Sequence, residues 1–573
     1  MTRPRYLVAI GSEAGGDCRE ASRDMRLIFE SREVAIRVDE AMPFIRLPFE
    51  RGVVLGALHP KADGSLKPEE IVREPALSAT QVATNLAERF WGSYVALVVD
   101  AMGVPLVARD PSGALSGYYK EMDGGLLISN EVRLLASEFS ILWSRVRADI
   151  ATAGFHSAET CLVGIRDLRP GMQLRWRDGL LEESGFWSPW DHVGPMGATR
   201  RTDLAAQLRQ ALFQVITGLA DGQRRPLMFM SGGLDSSIVL AALRERGIDA
   251  DCLTTYTQDP AGDERQHAKC LAAALDMPLR EHELDPSQVD LGLCAAPHLP
   301  RPRRRPLFQE MARAARVAAE EQGNDIILTG SGGDQIFCST QSANAIVDAL
   351  KARRPLLEIL ATFENICDLT GCSLGEAMAG VARRLRRPVH YDWPVRMDLL
   401  ADGAEVERPR HPWLECPHGV GPGKAYHVAM ILRVQESIES VFDADGPPVM
   451  NPLISQPMME FCLSIPTWEW VRGGRNRSLA RDAFEGRLPQ TILDRRAKPG
   501  PMSFSTQLLM ANIGRLRDLL LGGLLAEQQI LDVYATSKAL DNLMTQGSSI
   551  GLRLLQLADV EAWCRHWSGG PAR

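Results

Sequence analysis

The chain contains 573 residues, of which 45% are hydrophobic and 24% are charged. These proportions are typical of globular domains, so neither a disordered chain nor a fibrous repeat is expected. At about 100–200 residues per domain, the length predicts three or four domains or two large ones. The 64 basic and 72 acidic side chains give a net charge of -8, which argues against a general nucleic-acid-binding protein.

The sequence predicts neither a membrane-spanning helix nor a secretory signal. The apolar stretch 95–108 is shorter than the roughly 20 residues that a span needs, and Asp100 interrupts it. The apolar segment after the charged start is too brief for a signal peptide. The 11 cysteines include no C-x-x-C pair. Reduced thiols in a cytoplasmic protein without membrane insertion are therefore expected.

Short β-rich runs bounded by Gly, Pro and Asp dominate the first 190 residues and predict strands. These runs are Tyr6–Ile10, Val53–Leu58, Tyr94–Asp100, Val104–Ala108 and Gly125–Ser129. A polar, glycine-containing stretch follows them and predicts a linker over 191–203. A first domain is therefore expected over 1–190.

From residue 204 onward, apolar strand candidates alternate with helical periods, which predicts an α/β fold with a parallel sheet. The strand candidates are Leu227–Met230, Cys252–Tyr256 and Asp325–Thr329, and the helix candidates are Ser236–Arg246, Asp263–Leu275 and Phe308–Gln322. The remainder of the chain is predominantly helical in pattern. A second domain with a helical C-terminal part is therefore expected over 204–573.

Two further segments have unusual compositions. The basic, proline-stiffened run 300–306 (PRPRRRP) favours a solvated connector, with a clamp on an anionic ligand as the functional alternative. The stretch 405–424 is rich in Pro, Gly and His, and predicts a surface excursion or lid.

The strongest functional motif is the loop 231–237 (SGGLDSS), which lies between a predicted strand and a predicted helix. The adjacent glycines Gly232 and Gly233 let the backbone wrap closely around an anion, and the helix N-terminus supplies N–H donors. Further donors are the hydroxyls of Ser231, Ser236 and Ser237. Asp235 would repel phosphate unless a cation lay between them, so Mg²⁺ is implied. The loop is not a Walker A motif, because G-x-x-x-x-G-K-[ST] is absent from it.

This loop resembles the pyrophosphate loop of the asparagine synthetase-like superfamily, whose members cleave ATP between the α and β phosphates. A second loop, 329–334 (TGSGGD), supports the resemblance. The resemblance implies that Asp334 and Asp235 together hold Mg²⁺ on the triphosphate and take part in catalysis. It also implies that Tyr256, Gly330 and the pair Asp263-Glu264 lie near the bound ATP.

The resemblance continues downstream through 449–466 and 473–484 to 488–501. The family carries a lysine just after a basic pair in the last of these segments, and Lys498 follows Arg495-Arg496 here. The resemblance therefore implies that Lys498 is catalytic, stabilising charge on the adenylate and on the tetrahedral intermediate.

The N-terminal region is similar to the glutaminase-type sandwich of asparagine synthetases, which implies an Ntn-type β-sandwich over 1–190. Two departures suggest that this domain is inactive. A glutaminase of this kind needs Cys as its first mature residue, whereas this sequence begins Met1-Thr2. The residues 52–63 also stand where the loops that hold glutamine are expected, and the motifs of those loops are missing. Glutamine is therefore not expected to supply the nucleophile.

The third residue of the TG-x-G loop distinguishes branches of the family. Asparagine synthetases carry Glu there and β-lactam synthetases carry Tyr, whereas this chain has Ser331. The chain looks most like the lasso-peptide macrolactam synthetases, or lasso cyclases. In addition to the inactive sandwich, the expected architecture is a PP-loop ATP pyrophosphatase domain with a parallel sheet.

The implied reaction adenylates an Asp or Glu side chain of a precursor peptide, after which the peptide's N-terminal amine closes the ring. The implied partners are that core peptide, a leader-peptide-binding protein and a leader peptidase. Two alternatives stay open. One is an enzyme like β-lactam synthetase or asparagine synthetase acting on a small carboxylate, and the other is a nucleotide-binding scaffold without turnover.

Overall fold

The computed structural model describes residues 3–11, 22–62, 66–194, 200–220, 224–303, 308–403, 405–439, 446–496, 502–543 and 548–569. Several positions singled out from the sequence lie outside these residues. They are Thr2, the centre of the expected linker at 195–199, part of the basic run at 304–306, and Lys498.

Two antiparallel sheets of six strands each form the N-terminal part of the fold. The strands are β1 (Tyr6–Ile10), β2 (Arg26–Glu30), β3 (Val34–Val38), β4 (Phe44–Arg46), β5 (Gly52–Pro60), β6 (Phe90–Val99), β7 (Pro105–Arg109), β8 (Tyr118–Met122), β9 (Gly125–Ser129), β10 (Arg166–Asp167), β11 (Met172–Arg177) and β12 (Leu180–Gly185). Their orders are β10-β8-β9-β1-β3-β2 and β12-β11-β7-β6-β5-β4. Alternate residues of β1 (Tyr6 and Val8) and of β5 (Val53 and Leu55) share one buried cluster, so the sheets stack as a sandwich. All five predicted strands are confirmed.

Helices cover the outer faces of both sheets. α1 (Ala79–Arg89) packs Leu86 against Val54 of the second sheet. On the first sheet, Leu7 shares a cluster with α2 (Trp143–Ala151) and with helices from the far end of the chain. The last helices therefore belong to the same hydrophobic core as the first strand.

A five-stranded parallel sheet forms the centre of the second part of the fold. Its strands are β13 (Pro226–Phe229), β14 (Asp251–Tyr256), β15 (Leu279–Glu283), β16 (Ile326–Thr329) and β17 (Val449–Met450), in the order β15-β14-β13-β16-β17. The helices between them include α3 (Arg201–Leu219), α4 (Leu234–Glu245), α5 (Arg265–Leu275) and α6 (Phe308–Gln322). The strand order reverses between β13 and β16, and open α/β sheets bind ligands at such a switch point.

The rest of the described chain is mainly helical, as the sequence predicts. Its helices are α7 (Gly333–Ile336), α8 (Asn344–Lys351), α9 (Leu356–Thr370), α10 (Leu374–Leu385), α11 (Pro422–Ile438), α12 (Gln456–Ser464), α13 (Ser478–Ala483), α14 (Gln490–Leu493), α15 (Met502–Ala511), α16 (Ile513–Leu521), α17 (Leu524–Glu527), α18 (Val533–Asp541) and α19 (Ser548–Ser568), with a small hairpin of β18 (Val471–Arg472) and β19 (Arg475–Asn476). The α/β class with a parallel sheet and separate antiparallel sheets is confirmed. Among the described helices, none has the length and apolar character that crossing a bilayer requires.

The two segments of unusual composition differ from their sequence predictions. In the basic run, Arg301 forms an ion pair with Asp167, and Arg303 is buried with its guanidinium 5.9 Å from the ring centroid of Phe308. The solvated-connector interpretation is wrong for these two arginines, because partners outside the run pack against them. In the stretch 405–424, Trp413 is buried and meets Trp187 edge-on at 5.5 Å. The centre of that stretch is therefore anchored in the core.

A buried charge cluster joins the sandwich to the second part of the fold. Arg109, at the end of β7, places one nitrogen 3.0 Å from Asp167 and another 2.5 Å from Glu439, which follows α11. Arg301 also pairs with Asp167, and His156 lies 2.6 Å from the same carboxylate. Within the described residues, His156, Asp167 and Glu439 are the one group with metal-ligand spacing. Two arginines already neutralise its carboxylates, so the cluster is an ion-pair network.

Candidate nucleotide-binding site

Two glycine-rich loops meet at the switch point of the parallel sheet. The loop 231–233 connects β13 to α4, and the loop 330–332 connects β16 to α7. Gly233 is the N-cap residue of α4, so the N–H groups of the helix start face the edge where these strands end. Such a helix N-terminus favours anions, because its N–H groups are unpaired and the helix dipole is positive there.

The glycines of the second loop allow it to approach the first very closely. A Cβ atom on Gly330 would lie 2.6 Å from the Cα of Ser236 and 2.8 Å from the carbonyl carbon of Asp235. A Cβ atom on Gly333 would overlap the carboxylate of Asp235. Neither glycine can therefore be replaced without displacing the start of α4. In the first loop, Gly232 has a φ of 62°, a left-handed conformation that glycine adopts without strain.

The two acids expected to bind Mg²⁺ are brought together by a third residue, Arg477. Its Nη1 lies 2.8 and 2.9 Å from the two carboxylate oxygens of Asp235, and 2.9 Å from Oδ1 of Asp334. Because one nitrogen contacts both acids, their carboxylates converge on a single point. The Asp334 carboxylate is more than half exposed, whereas Asp235 and Arg477 are largely buried. The convergence point therefore opens to solvent on the Asp334 side.

Arg477 reaches the acids because of the local backbone. It follows the β18–β19 hairpin and has a φ of 55°, a left-handed conformation at the N-cap of α13. Burial alone would lower the pKa of Arg477, but Asp235 and Asp334 outweigh that effect and raise it. The guanidinium is therefore a permanent positive charge between the two acids.

A second arginine holds the first loop from the other side. Arg495 donates to the carbonyl of Gly232 at 3.0 Å and to the carboxylate of Glu264 at 2.5 Å. Arg481 in turn donates to the carbonyl of Arg495 at 2.9 Å. The segment that leads towards position 498 is thus attached to the loop, although Lys498 itself lies outside the described residues.

The remaining predicted residues occupy different positions around the loops. The hydroxyl of Ser237 is fully buried and donates to the carbonyl of Gly233 at 2.7 Å, so it stabilises the first turn of α4. Ser236 is buried behind the loop, where its hydroxyl lies 3.4 Å from the backbone nitrogen of Ser231. Tyr256 ends β14, and the guanidinium of Arg265 lies 3.8 Å from its ring centroid. Of the side chains predicted from the sequence, those of Asp235 and Asp334 are the two that contact Arg477 at the convergence point among the described residues.

Sequence reasoning singled out neither Arg477 nor Arg495 as a site residue. Both lie in segments that carry the family resemblance, but in those segments the resemblance implies a role only for Lys498. The glycine pair Gly473-Gly474 precedes Arg477, has φ values of 58° and 61°, and forms a tight turn. Arg475 and Arg477 both follow this turn within three residues, so the glycine pair marks the segment but does not by itself identify Arg477.

The donor set fits a nucleotide triphosphate with a divalent cation. The two carboxylates that meet at one nitrogen of Arg477 are oxygen ligands of the kind that Mg²⁺ prefers. Position 330 carries no side chain, so there the second loop places only backbone against the start of α4. Helix-start N–H groups and glycine-loop backbone are the donors that phosphate oxygens use in such sites.

Comparisons with known proteins agree with the family resemblance. A family model described as asparagine synthase matches residues 207–419 and 424–565. No curated protein matches the chain. One similar solved structure is a glutamine phosphoribosylpyrophosphate amidotransferase from B. subtilis complexed with ADP and GMP, with 12% identity and a TM-score of 0.21 over 48% of this chain. The match covers 65% of that amidotransferase, just under two thirds of its length.

A second similar structure is titled as the allosteric regulatory enzyme of purine biosynthesis. It is 10% identical, with a TM-score of 0.20, and the match covers 49% of this chain and 80% of that one. At these TM-scores neither likeness is close enough to indicate a shared overall fold.

Proposed function

Because the chain belongs to the asparagine synthase family, we propose that it is an ATP-dependent amide-forming ligase, and specifically a lasso-peptide cyclase. In the proposed reaction, an Asp or Glu side-chain carboxylate of a precursor peptide attacks the α-phosphorus of ATP and pyrophosphate leaves. The peptide's N-terminal amine then attacks the activated carbonyl carbon, AMP leaves with the former carboxylate oxygen, and the amine loses a proton. The product is an isopeptide-bonded ring.

The observation that carries the proposal is the convergence of Asp235, Asp334 and Arg477 at the switch point of the sheet. Bound Mg²⁺ would supply positive charge that offsets the phosphates. Asp235 and Asp334 would hold that ion. Arg477 would be freed from them and could turn its guanidinium towards the leaving pyrophosphate, whose charge grows as the bond breaks.

The rest of the site would orient the reactants. The backbone N–H groups at the start of α4 and the hydroxyl of Ser231 would contact phosphate oxygens. Gly330 keeps the two loops in contact, and Arg495 fixes the carbonyl of Gly232 away from the phosphates. The amine and the activated carboxyl belong to one peptide, so holding them in reacting geometry would remove much of the entropic cost of ring closure.

The finer assignment to lasso cyclases is supported by sequence features. Ser331 matches neither the Glu of asparagine synthetases nor the Tyr of β-lactam synthetases. The stretch 52–63 lacks glutamine-holding motifs, and most of it is β5, a strand paired with β4 and β6. A precursor peptide, a leader-peptide-binding protein and a leader peptidase are the partners proposed on this basis. The alternative is a related ligase acting on a small carboxylate.

The deciding experiment incubates the purified protein with ATP, Mg²⁺ and candidate core peptides. Mass spectrometry then tests for a product lighter than the peptide by one water. Asp235→Asn and Asp334→Asn should each abolish pyrophosphate release while the protein stays folded. Asp276→Asn, at an exposed helix end, is the matched control. Turnover of small carboxylates without any peptide product, or stimulation by glutamine, would favour the alternative.

Lys498 is tested by the same assay. Lys498→Ala should bind ATP and peptide nearly normally but cyclise about a hundredfold more slowly, because one preorganised donor to developing charge is lost. Lys498→Arg should also be slow, since a planar guanidinium does not replace a compact ammonium. Cyclisation within about threefold of wild type would remove Lys498 from the proposed mechanism.

A further inference from the structure

The helical hairpin of α9 and α10 exposes an unusual amount of apolar surface. Its outward-facing residues Leu356, Leu357, Leu360, Leu374, Met378 and Leu385 are each between 52% and 80% exposed. These six, named here the apolar ridge, are one third of the large exposed hydrophobic residues in the described chain. Exposed apolar side chains concentrated on one helical hairpin, when they form a patch, mark an interaction site.

The opposite face of the hairpin is already packed. Ile366 and Val381 are buried against α8 and Val471 of β18, with Phe363 and Leu369 packed beside them. α9 is therefore apolar on two faces, one of which is covered by its own domain. A helix that is apolar on two faces normally has neighbours on both.

Charge is distributed unevenly along the same hairpin. Only three residues, 371–373, join the helices, so the start of α9 and the end of α10 lie at one end. Four exposed arginines gather there, namely Arg353, Arg383, Arg386 and Arg387. None of the four forms an ion pair with another described residue. Burial lowers the pKa of the neighbouring Arg384, and the positive charges of Arg383 and Arg387 lower it further.

We propose that the apolar ridge and its basic end form a docking surface for an acidic amphipathic helix of a second protein. The leucines would receive the apolar face of that helix, and the arginines would pair with its carboxylates. An anionic bilayer is a poorer fit, because its uniform negative charge would also meet Glu364, Asp368 and Glu376, which are exposed on the other half of the hairpin. A helix can place its carboxylates at the basic end alone.

The underside of this surface contacts the element that carries Arg477. The side-chain oxygen of Asn365 in α9 accepts a hydrogen bond from the backbone of Gly473 at 2.7 Å. A Cβ on Gly474 would lie 2.9 Å from the Cβ of Asp368, so the turn of the β18–β19 hairpin packs tightly on α9. The docking surface and Arg477 are therefore connected through α9 and the turn of the β18–β19 hairpin. The docking proposal concerns binding alone and is independent of the proposed reaction.

The test uses fluorescence anisotropy with the full chain and a labelled synthetic peptide that carries leucines on one helical face and glutamates on the other. The comparison peptides replace the glutamates by lysines or scramble the order. The acidic amphipathic peptide should bind at least about tenfold more tightly than either. The double variant Leu357→Glu with Leu360→Glu should abolish that difference in affinity. The control is Met102→Glu, at a turn in the sandwich where Met102 is 88% exposed, and it should leave the difference unchanged.

A charge-reversal variant distinguishes loss of the docking surface from misfolding, because a misfolded protein would not gain a preference for the opposite peptide. Arg386→Glu with Arg387→Glu should reverse the preference, so that the lysine peptide binds more tightly than the glutamate peptide. The proposal is overturned if all three peptides bind the wild type equally. It is also overturned if the ridge instead binds phosphatidylserine vesicles, or if Leu357→Glu with Leu360→Glu converts a dimer to a monomer in sedimentation.

Discussion

Arg477 and Asp235 are 242 positions apart in the sequence, yet Nη1 of Arg477 lies within 2.9 Å of both carboxylate oxygens of Asp235. The same nitrogen reaches Asp334, so one cation links the acids that follow two different strands. This relationship makes Arg477 the residue whose replacement tests the candidate site most directly.

Replacing Arg477 by Ala should reduce ATP-dependent pyrophosphate release by about a hundredfold, since a charged donor to the leaving group is lost. Arg477→Lys should retain part of the activity because it keeps the charge without the fork. Arg475→Ala, which removes an exposed ion pair with Asp494 in the same hairpin, is the control and should be near wild type. Equal rates for the Arg475 and Arg477 variants would show that Arg477 has only a structural role.

Gly330→Ala should abolish ATP binding, because the added methyl would collide with the backbone of Ser236 and force the two loops apart. The melting temperature should also fall. Gly194→Ala is a suitable comparison, since a Cβ there meets no atom within 4 Å. Equilibrium binding of ATP with Mg²⁺ to the two variants provides the measurement. Undiminished affinity in Gly330→Ala would mean that contact between the loops is unnecessary for binding.

The protein should lose stability as the pH falls below about 6.5, the ordinary pKa of histidine. Burial lowers the pKa of both His427 and His298 to about 3 in the folded protein. Between pH 6.5 and pH 3, these two histidines are therefore protonated in the unfolded chain but neutral in the folded one. Stability is therefore complete above pH 6.5 and declines towards pH 3. Each histidine should cost about 2 kcal/mol at pH 5.

Urea unfolding at pH 7.5 and pH 5 checks this expectation. His427→Gln keeps an amide that can donate to the carbonyl of Ile336, as the imidazole does at 2.9 Å, but it cannot be protonated. The stability of His427→Gln should depend less on pH than that of wild type. The variant His390→Gln, at an exposed position, should show the same pH dependence as wild type. If His427→Gln and wild type lose the same free energy between the two pH values, His427 does not contribute to acid lability.

Glu439→Ala should destabilise the protein by about 3–5 kcal/mol, because it leaves the buried guanidinium of Arg109 without one of its two carboxylate partners. Glu320→Ala, which removes an exposed pair with Arg316, should cost less than about 1 kcal/mol. Chemical denaturation of both variants gives the comparison. A small effect for Glu439 would imply that water solvates Arg109 or that a rearranged acidic side chain pairs with it.

Local sequence signals predicted the elements that frame the site, but not the contacts that complete it. β1 and α6 have the predicted ends because apolar periodicity and flanking Gly and Pro are local properties. The strand-loop-helix order around Gly232 was likewise readable. Arg477, in contrast, acts through a left-handed turn and a partner far away in sequence. Arg301 was assigned to a solvated run because its partner Asp167 lies 134 positions away.

The return of the last helices to the sandwich has a consequence for synthesis on the ribosome. Leu7 in β1 shares its core with α2 and also with Leu554 and Trp563 in α19, so part of the outer face of the first sheet stays uncovered until α19 has emerged. At roughly 5–20 residues per second, the ribosome needs about 20–75 s to make the chain between the end of β12 at Gly185 and the start of α19 at Ser548. During that interval the nascent sandwich exposes an apolar sheet face. Chaperone binding should therefore map to β1 and β9, and should end only after α19 docks.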